Sequence, residues 1–236
     1  MKRFIQKLIQ ECKNVTLTIH TIVYPSKDSV LLDITFVSQF ATPEFAEKVL
    51  RNAVKKDCDP NWAAQGATSP TEYAKWVTTT CGMACINMVL EAQNKQPHPM
   101  IILAKKAAQA GVYTEDVDGE LSAMEYHKCV KWLPTIGLQG TIYTRLTLAK
   151  LHYLVSRNGY LIVSVNPNIR GFKSAEDEQV GGHLVLVTGY NKNNQTISIH
   201  NPSGFVSDNS HVNHMMPEAF FLSHFAQRGI CVHSLT

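Results

Sequence analysis

Hydrophobic positions along this chain recur with two different periods, and their order predicts the architecture. In residues 1–13, Phe4, Ile5, Leu8 and Ile9 stand at helical spacing among Lys2, Arg3, Lys7 and Glu11, which predicts a short amphipathic helix. Leu17, Ile19 and Val23 form one run, and Val30, Leu32, Ile34 and Phe36 alternate in the next. Between them lies the turn chemistry Pro25-Ser26-Lys27-Asp28-Ser29, so residues 15–40 read as a β-hairpin. Thr42-Pro43 reads as an N-cap followed by Pro at the first helical position, with Phe45, Val49, Ala53 and Val54 carrying a helix to about Lys56. Asp57 to Glu72 concentrates breakers and reads as a loop. It is the candidate internal boundary, dividing a hairpin-and-helix extension at residues 1–60 from a domain at 61–236.

Beyond that loop, helices come first and strands cluster late. Met83, Ile86, Val89 and Leu90 share one face of a helix over 81–94. Further helices are predicted from Ile102 to Ala110, Leu121 to Trp132, Thr147 to about Ser156 and Pro217 to Gln227. Strands are predicted at Thr141–Tyr143, Tyr160–Val165 and Gly229–Val232, and as a hairpin of Gly182–Tyr190 with Thr196–Asn201. That order is α+β rather than a βαβ repeat.

Composition narrows the class. The 236 residues are 44% hydrophobic and 17% charged, which is a globular composition, and the net charge of +3 comes without a concentrated Lys/Arg stripe, so nothing points to nucleic acid. No apolar run approaches the ~20 residues that span a bilayer, and the N-terminus lacks the uninterrupted apolar core of a secretory signal. Six cysteines scattered through the chain form no dense framework, so reduced thiols in the cytoplasm are the expectation.

The most informative stretch is Thr78-Thr79-Thr80-Cys81-Gly82-Met83-Ala84-Cys85. Thr80 as N-cap puts Cys81 in the first helical turn, where roughly half a positive charge favours an anion and lowers a thiol from its ordinary value of about 8.5. Gly82 removes a side chain beside the sulfur. A thiolate nucleophile needs a base, and Gly181-Gly182-His183 opens a very apolar strand. A turn near Lys192 brings Asn201 to within about one residue of His183 on the neighbouring strand, where its amide oxygen holds the imidazole. Cys81 and Cys85 lack the second Cys/His pair of a zinc site, and His200, His211 and His214 offer no matching close pair, so neither metal nor cofactor is expected. Arg170 follows a strand end and precedes the polar stretch 173–179 leading to His183, which reads either as a solvated surface turn or as a flap on the substrate side.

Together, Thr80–Leu90, Gly182–Tyr190 and His200-Asn201-Pro202-Ser203-Gly204 resemble the papain-like cysteine peptidases of the bacteriocin-processing, double-glycine-leader type. The resemblance spans roughly residues 60–236. It implies a papain-like α+β fold, with a helical half carrying Cys81 as nucleophile and a sheet half carrying His183 as base and Asn201 as orienter. The implied partner is a peptide or protein substrate. Two departures stand out. That family usually has Asp where Asn201 stands, and it places a Gln about six residues before the nucleophile as oxyanion donor, where this chain has Lys75. The replacement donor is then Lys75, Trp76, Thr78 or Thr80, and Gln65 is the nearest upstream amide. The same triad serves acyl transfer or transglutamination, and a chain without the upstream Gln also fits a peptide- or protein-binding module on that fold. Oligomeric state has no signature in these motifs.

Overall fold

In the computed structural model, residues 2–171 and 181–234 are described. The helical half comes first: α1 (Lys2–Val23), a short β1 (Ser29–Leu31), α2 (Phe45–Leu50), α3 (Pro70–Val77), α4 (Cys81–Ala92), α5 (Met100–Gln109) and α6 (Tyr126–Trp132). The sheet half follows: β2 (Leu138–Tyr143), α7 (Leu148–Ser156), β3 (Tyr160–Val165), β4 (His183–Asn191), β5 (Thr196–His200), β6 (His214–Pro217), α8 (Glu218–His224) and β7 (Phe225–Ser234). The seven strands form one sheet in the order β2-β7-β3-β4-β5-β6, with β1 pairing β4 beyond the end of β3. Every pairing among the described strands is antiparallel. This is the papain-like α+β fold that the sequence motifs imply.

The period-two alternation of the central strands explains why both sheet faces are covered. On β4, Leu184 and Leu186 enter one core, while Val185 and Val187 enter the other. On β3, Ile162 joins the first and Leu161, Val163 and Val165 the second. The first core is completed by α4, whose residues Cys81 to Leu90 are all buried. The second is closed by Leu151, Leu154 and Val155 of α7 and Phe221 of α8. A fully buried Leu, Ile or Val contributes roughly 1.5–3 kcal/mol, so the first core holds α4 firmly against β4.

The N-terminal hairpin is not formed. Residues 2–23 are one helix, and β1 joins β4 in the main sheet, pairing Ser29 with Asn191 and Leu31 with Gly189. The β-branched run that imitates a strand lies within α1, where threonine hydroxyls bond back along the helix: Thr18 donates to Asn14 O (2.8 Å) and Thr21 to Thr18 O (2.7 Å). The rest of residues 1–60 is built into the first core through Ile34, Phe40, Ala46 and Val49.

Thr42 does not cap a helix either. Its N–H and hydroxyl both donate to the Asp59 carboxylate, at 3.1 and 2.6 Å, and α2 is only six residues long. The stretch read as a loop to Glu72 contains the start of α3. There Ser69 accepts from Glu72 N (3.1 Å) with Pro70 in the first turn, an unread capping signal. The helix expected from Leu121 begins at Tyr126, leaving 121–125 extended.

Candidate active site

Cys81 is the first residue of α4, and its sulfur lies at the junction of the two halves. Thr80 occupies the N-cap position but makes no side-chain cap, its hydroxyl donating instead to Val77 O (3.2 Å). The helix end is therefore held by tertiary packing. Gly82 is explained by that packing: a Cβ there would lie 2.7 Å from Met124 Sδ and 2.9 Å from Leu184 Cδ1. Its role is to admit these two side chains against α4, rather than to clear a path to the sulfur.

His183 opens β4, opposite Val165 of β3. The preceding Gly181 and Gly182 have φ of +111° and +103°, conformations that favour glycine, and a Cβ on Gly181 would meet Arg228 and Ser164 side chains within 3 Å. Across the strand pair, Leu186 faces His200 and Val187 faces Ile199. This register differs by two from the one expected, and it sets Asn201 diagonal to His183, on the same face. His183 Nε2 lies 2.8 Å from Asn201 Oδ1. Asn201 Oδ1 also accepts from Ser203 N (3.2 Å), which orients the amide, so Nε2 carries the proton and Nδ1 keeps its lone pair.

Two residues that sequence reasoning missed complete this cluster. Ser203 Oγ stands 3.2 Å from His183 Nε2 and accepts from Arg170 Nε at 2.8 Å. Arg170 also donates to Ser203 O and Pro167 O, so it is a partly buried structural cation. Continuing the β4–β5 register by counting places Ser203 opposite His183, a signal available only once the register is known. Residues 173–179, read as a turn or flap, lie outside the described residues.

Electrostatics differ from the expected lowered thiol. Burial pushes the Cys81 thiol up, opposed by the Leu184 N–H, the Arg170 charge and the N–H groups at the helix start. Burial, and then the Arg170 charge, hold the His183 imidazolium well below its ordinary range, with Asn201 opposing. Desolvation outweighs the helix terminus because Cys81 is only 9% exposed. The resting pair is a neutral thiol and a neutral imidazole.

Cys81, Gly182, His183 and Leu184 line one cleft of about 820 Å³ between the two halves. Thr78, Thr79 and the extended 121–125 segment form its helical side, and Ser164, Thr144 and Arg228 its sheet side. A cleft of this size fits several residues of an extended peptide. Of the upstream groups considered as oxyanion donors, Lys75 is paired with Glu115 (2.7 Å), Trp76 packs edge-on against Tyr113, and Gln65 accepts from Met100 N. His200 is a structural residue: Nε2 donates to Ile34 O (2.8 Å) and Nδ1 accepts from Asn213 N (3.0 Å).

Among solved structures, the chain is similar to a double glycine motif protease from an AMS/PCAT transporter in complex with the leader peptide. The identity is 14% over 87% of this chain and 94% of that chain, with a TM-score of 0.46. It is also similar to the peptidase domain of Streptococcus ComA, a bi-functional ABC transporter involved in a quorum sensing pathway, at 14% identity over 66% of this chain and 93% of that one, with a TM-score of 0.43. No curated protein matches the chain. The family model described as Peptidase_C39 like matches residues 59–229, most of the chain, and the protein accordingly belongs to this family of cysteine peptidases.

Proposed function

We propose that the protein hydrolyses a peptide or isopeptide bond, with Cys81 as nucleophile, His183 as general base and then acid, and Asn201 as the residue that orients the imidazole. The observation that carries this reading is the 2.8 Å contact of His183 Nε2 with Asn201 Oδ1, with His183 and Cys81 lining the same cleft. With Nε2–H committed to Asn201, Nδ1 is the nitrogen left to take the thiol proton.

The steps follow from the protonation states. On substrate binding, His183 Nδ1 removes the Sγ proton as sulfur attacks the carbonyl carbon, giving a tetrahedral oxyanion and an imidazolium. The Cys81 N–H supplies one donor to that oxyanion. The Thr79 hydroxyl, in the same cleft, supplies the second in place of the displaced Lys75. The imidazolium then gives its proton to the leaving amine, and a thioester remains. Water, deprotonated by His183, attacks the thioester and releases the carboxylic acid and the Cys81 thiol. The Arg170 charge favours the thiolate and the oxyanion and disfavours the imidazolium, so it stabilises the anionic side of each step.

In this reading residues 61–236 form the catalytic unit, with 1–60 as an extension packed into the same core, and the substrate is a peptide or protein segment. The six cysteines are all free thiols, two of them exposed, which supports a reducing compartment such as the cytoplasm. No described helix is long and apolar enough to cross a membrane.

The test is digestion of a peptide library read by mass spectrometry, with a labelled amine present. Hydrolysis predicts free carboxyl termini without label, and loss of cleavage in both Cys81→Ala and His183→Ala. Cleavage that survives Cys81→Ala overturns the assignment, and label in the products makes the protein an acyltransferase instead.

A further inference from the structure

Helix α1 has two opposite faces. Gln10, Asn14, Leu17 and Thr21 recur at spacings of four, three and four, and turn toward the body. Gln10 Nε2 donates to Ile142 O (2.9 Å), Asn14 Nδ2 to Thr144 Oγ1 (3.2 Å), and Leu17 is buried in the second core. A second row, Ile5, Leu8, Cys12, Val15, Ile19 and Ile22, alternates at spacings of three and four along the helix, and every member is exposed. This is a 3.5-residue period sustained for three heptads, the a and d seam of a coiled coil. At about 100° per residue the seam centres roughly 160° from the body-facing row, so the fold aims it at solvent.

The exposed area is the size of an interface. Exposure along the five aliphatic positions of the seam runs from 47% at Ile5 to 77% at Ile22, and Phe4 on its flank is 72% exposed. With Ile9 and Val23, the stripe leaves on the order of 800 Å² of apolar surface in water. The largest patch on a typical monomer is ~300–600 Å², and one partner in a standard interface contributes ~800 Å². The flanks indicate what covers it. The e and g positions are Lys2, Phe4, Ile9, Glu11, Thr16, Thr18 and Val23, so only the first turn carries a basic residue beside the seam, which favours a protein partner over the Lys- and Arg-rich setting of a lipid-bound helix. Beyond Lys2 in the first turn, the flanking charge is Glu11, already paired with Arg145 (2.9 Å), so two such helices meet without a row of like charges. Ile5 and Ile19 at a with Leu8 at d favour two strands, against the β-branched Val15 and Ile22 at the other d positions.

We propose that two copies of this chain associate through α1, seam to seam, as a short two-stranded coiled coil. Ile142 and Thr144, which hold α1, also line the catalytic cleft, so the pairing stands beside the sheet-side rim of the site without contributing a residue to it.

Sedimentation velocity on the full chain, in reducing buffer to keep Cys12 from cross-linking, tests this over about 1–100 µM, since self-association follows mass action. The expected result is a concentration-dependent dimer, retained in Ile19→Leu and weakened by at least about tenfold in Ile19→Glu, with the circular dichroism of the folded chain unchanged in both. A wild-type chain that stays monomeric at the highest concentration overturns the proposal, as does an Ile19→Glu chain that still dimerises. A monomeric chain that floats with phosphatidylglycerol-containing vesicles overturns it as well, and assigns the face to lipid.

Discussion

The Nε2 of His183 lies 2.8 Å from Oδ1 of Asn201, and this contact leaves Nδ1 as the imidazole nitrogen that the proposed mechanism assigns to the Cys81 proton. Because Asn201 is neutral, it orients the ring without stabilising an imidazolium by charge. Asn201→Asp is therefore expected to raise the His183 pKa and move the acid limb of the pH–rate profile to higher pH. Asn201→Ala removes the orientation and is expected to cost a large part of the ~10²–10⁴ that positioned acid–base groups contribute. Steady-state rates from pH 4 to 9 distinguish the two variants. An acid limb unmoved in Asn201→Asp would sink this account of the pair.

Cys81 is expected to behave as a protonated, desolvated thiol in the free protein. Since burial raises its pKa, alkylation should climb only above the ordinary value of about 8.5, with no thiolate plateau at pH 5–7. Arg170→Gln removes a charge that lowers the thiol, so Cys81 should react more slowly at a fixed pH near 8. Peptide-level mass spectrometry of iodoacetamide labelling measures both effects, and faster labelling in Arg170→Gln would contradict the electrostatic reading.

Thr79 replaces the missing upstream amide as oxyanion donor in the mechanism proposed above. Thr79→Val keeps the shape and removes the hydroxyl, so kcat should fall by up to about 10²–10³ with little change in KM, while Thr79→Ser retains activity. Equal rates for Thr79→Val and wild type would move the second donor elsewhere.

Gly82→Ala forces a methyl into the space held by Met124 and Leu184. Overpacking of this kind costs about 1–3 kcal/mol, and Met124→Ala in the same chain should recover part of it by making room. Denaturant midpoints of the single and double variants report this. Additive losses in the double variant would show that Met124 is not the obstructing group.

Glu72 ties the start of α3 to α5 and should make stability acid-sensitive. The Lys105 ammonium first (2.6 Å), and then Thr68, lower its pKa from 4.5 to about 2. A depressed folded-state pKa means the contribution is complete above about 4.5 and is lost as the pH falls through 2. The wild-type melting temperature should thus fall more steeply than that of Glu72→Gln between these limits, and parallel curves would rule the linkage out.

Local chemistry made much of this protein legible before its fold was known. The buried run of β3 matches its predicted span at both ends, because Tyr160 to Val165 is β-rich and bounded by breakers. Cys81 at a helix start and His183 at a strand start were also readable, since both depend on neighbours within a few residues. What failed depended on distant ones. Residues 15–23 carry β-branched side chains that suit a strand, yet Asn14 finds a partner in Thr144, just past β2, and Leu17 in the second core, and these keep the segment helical.

The sequence by itself determined the α+β order, the two-faced central strands and the residue types able to act as nucleophile, base and orienter. Only tertiary structure decided their electrostatics and register. A helix terminus predicts a lowered thiol, but burial between two cores reverses the sign, and the extent of burial is a property of packing. The irregularity between Val187 and Gly189 shifts the β4–β5 register, and a shift of that kind changes which residues meet without changing either strand's pattern. Ser203 comes opposite His183 for that reason, and Arg170 joins the cluster through its bonds to Ser203 and Pro167, without a local signal for either.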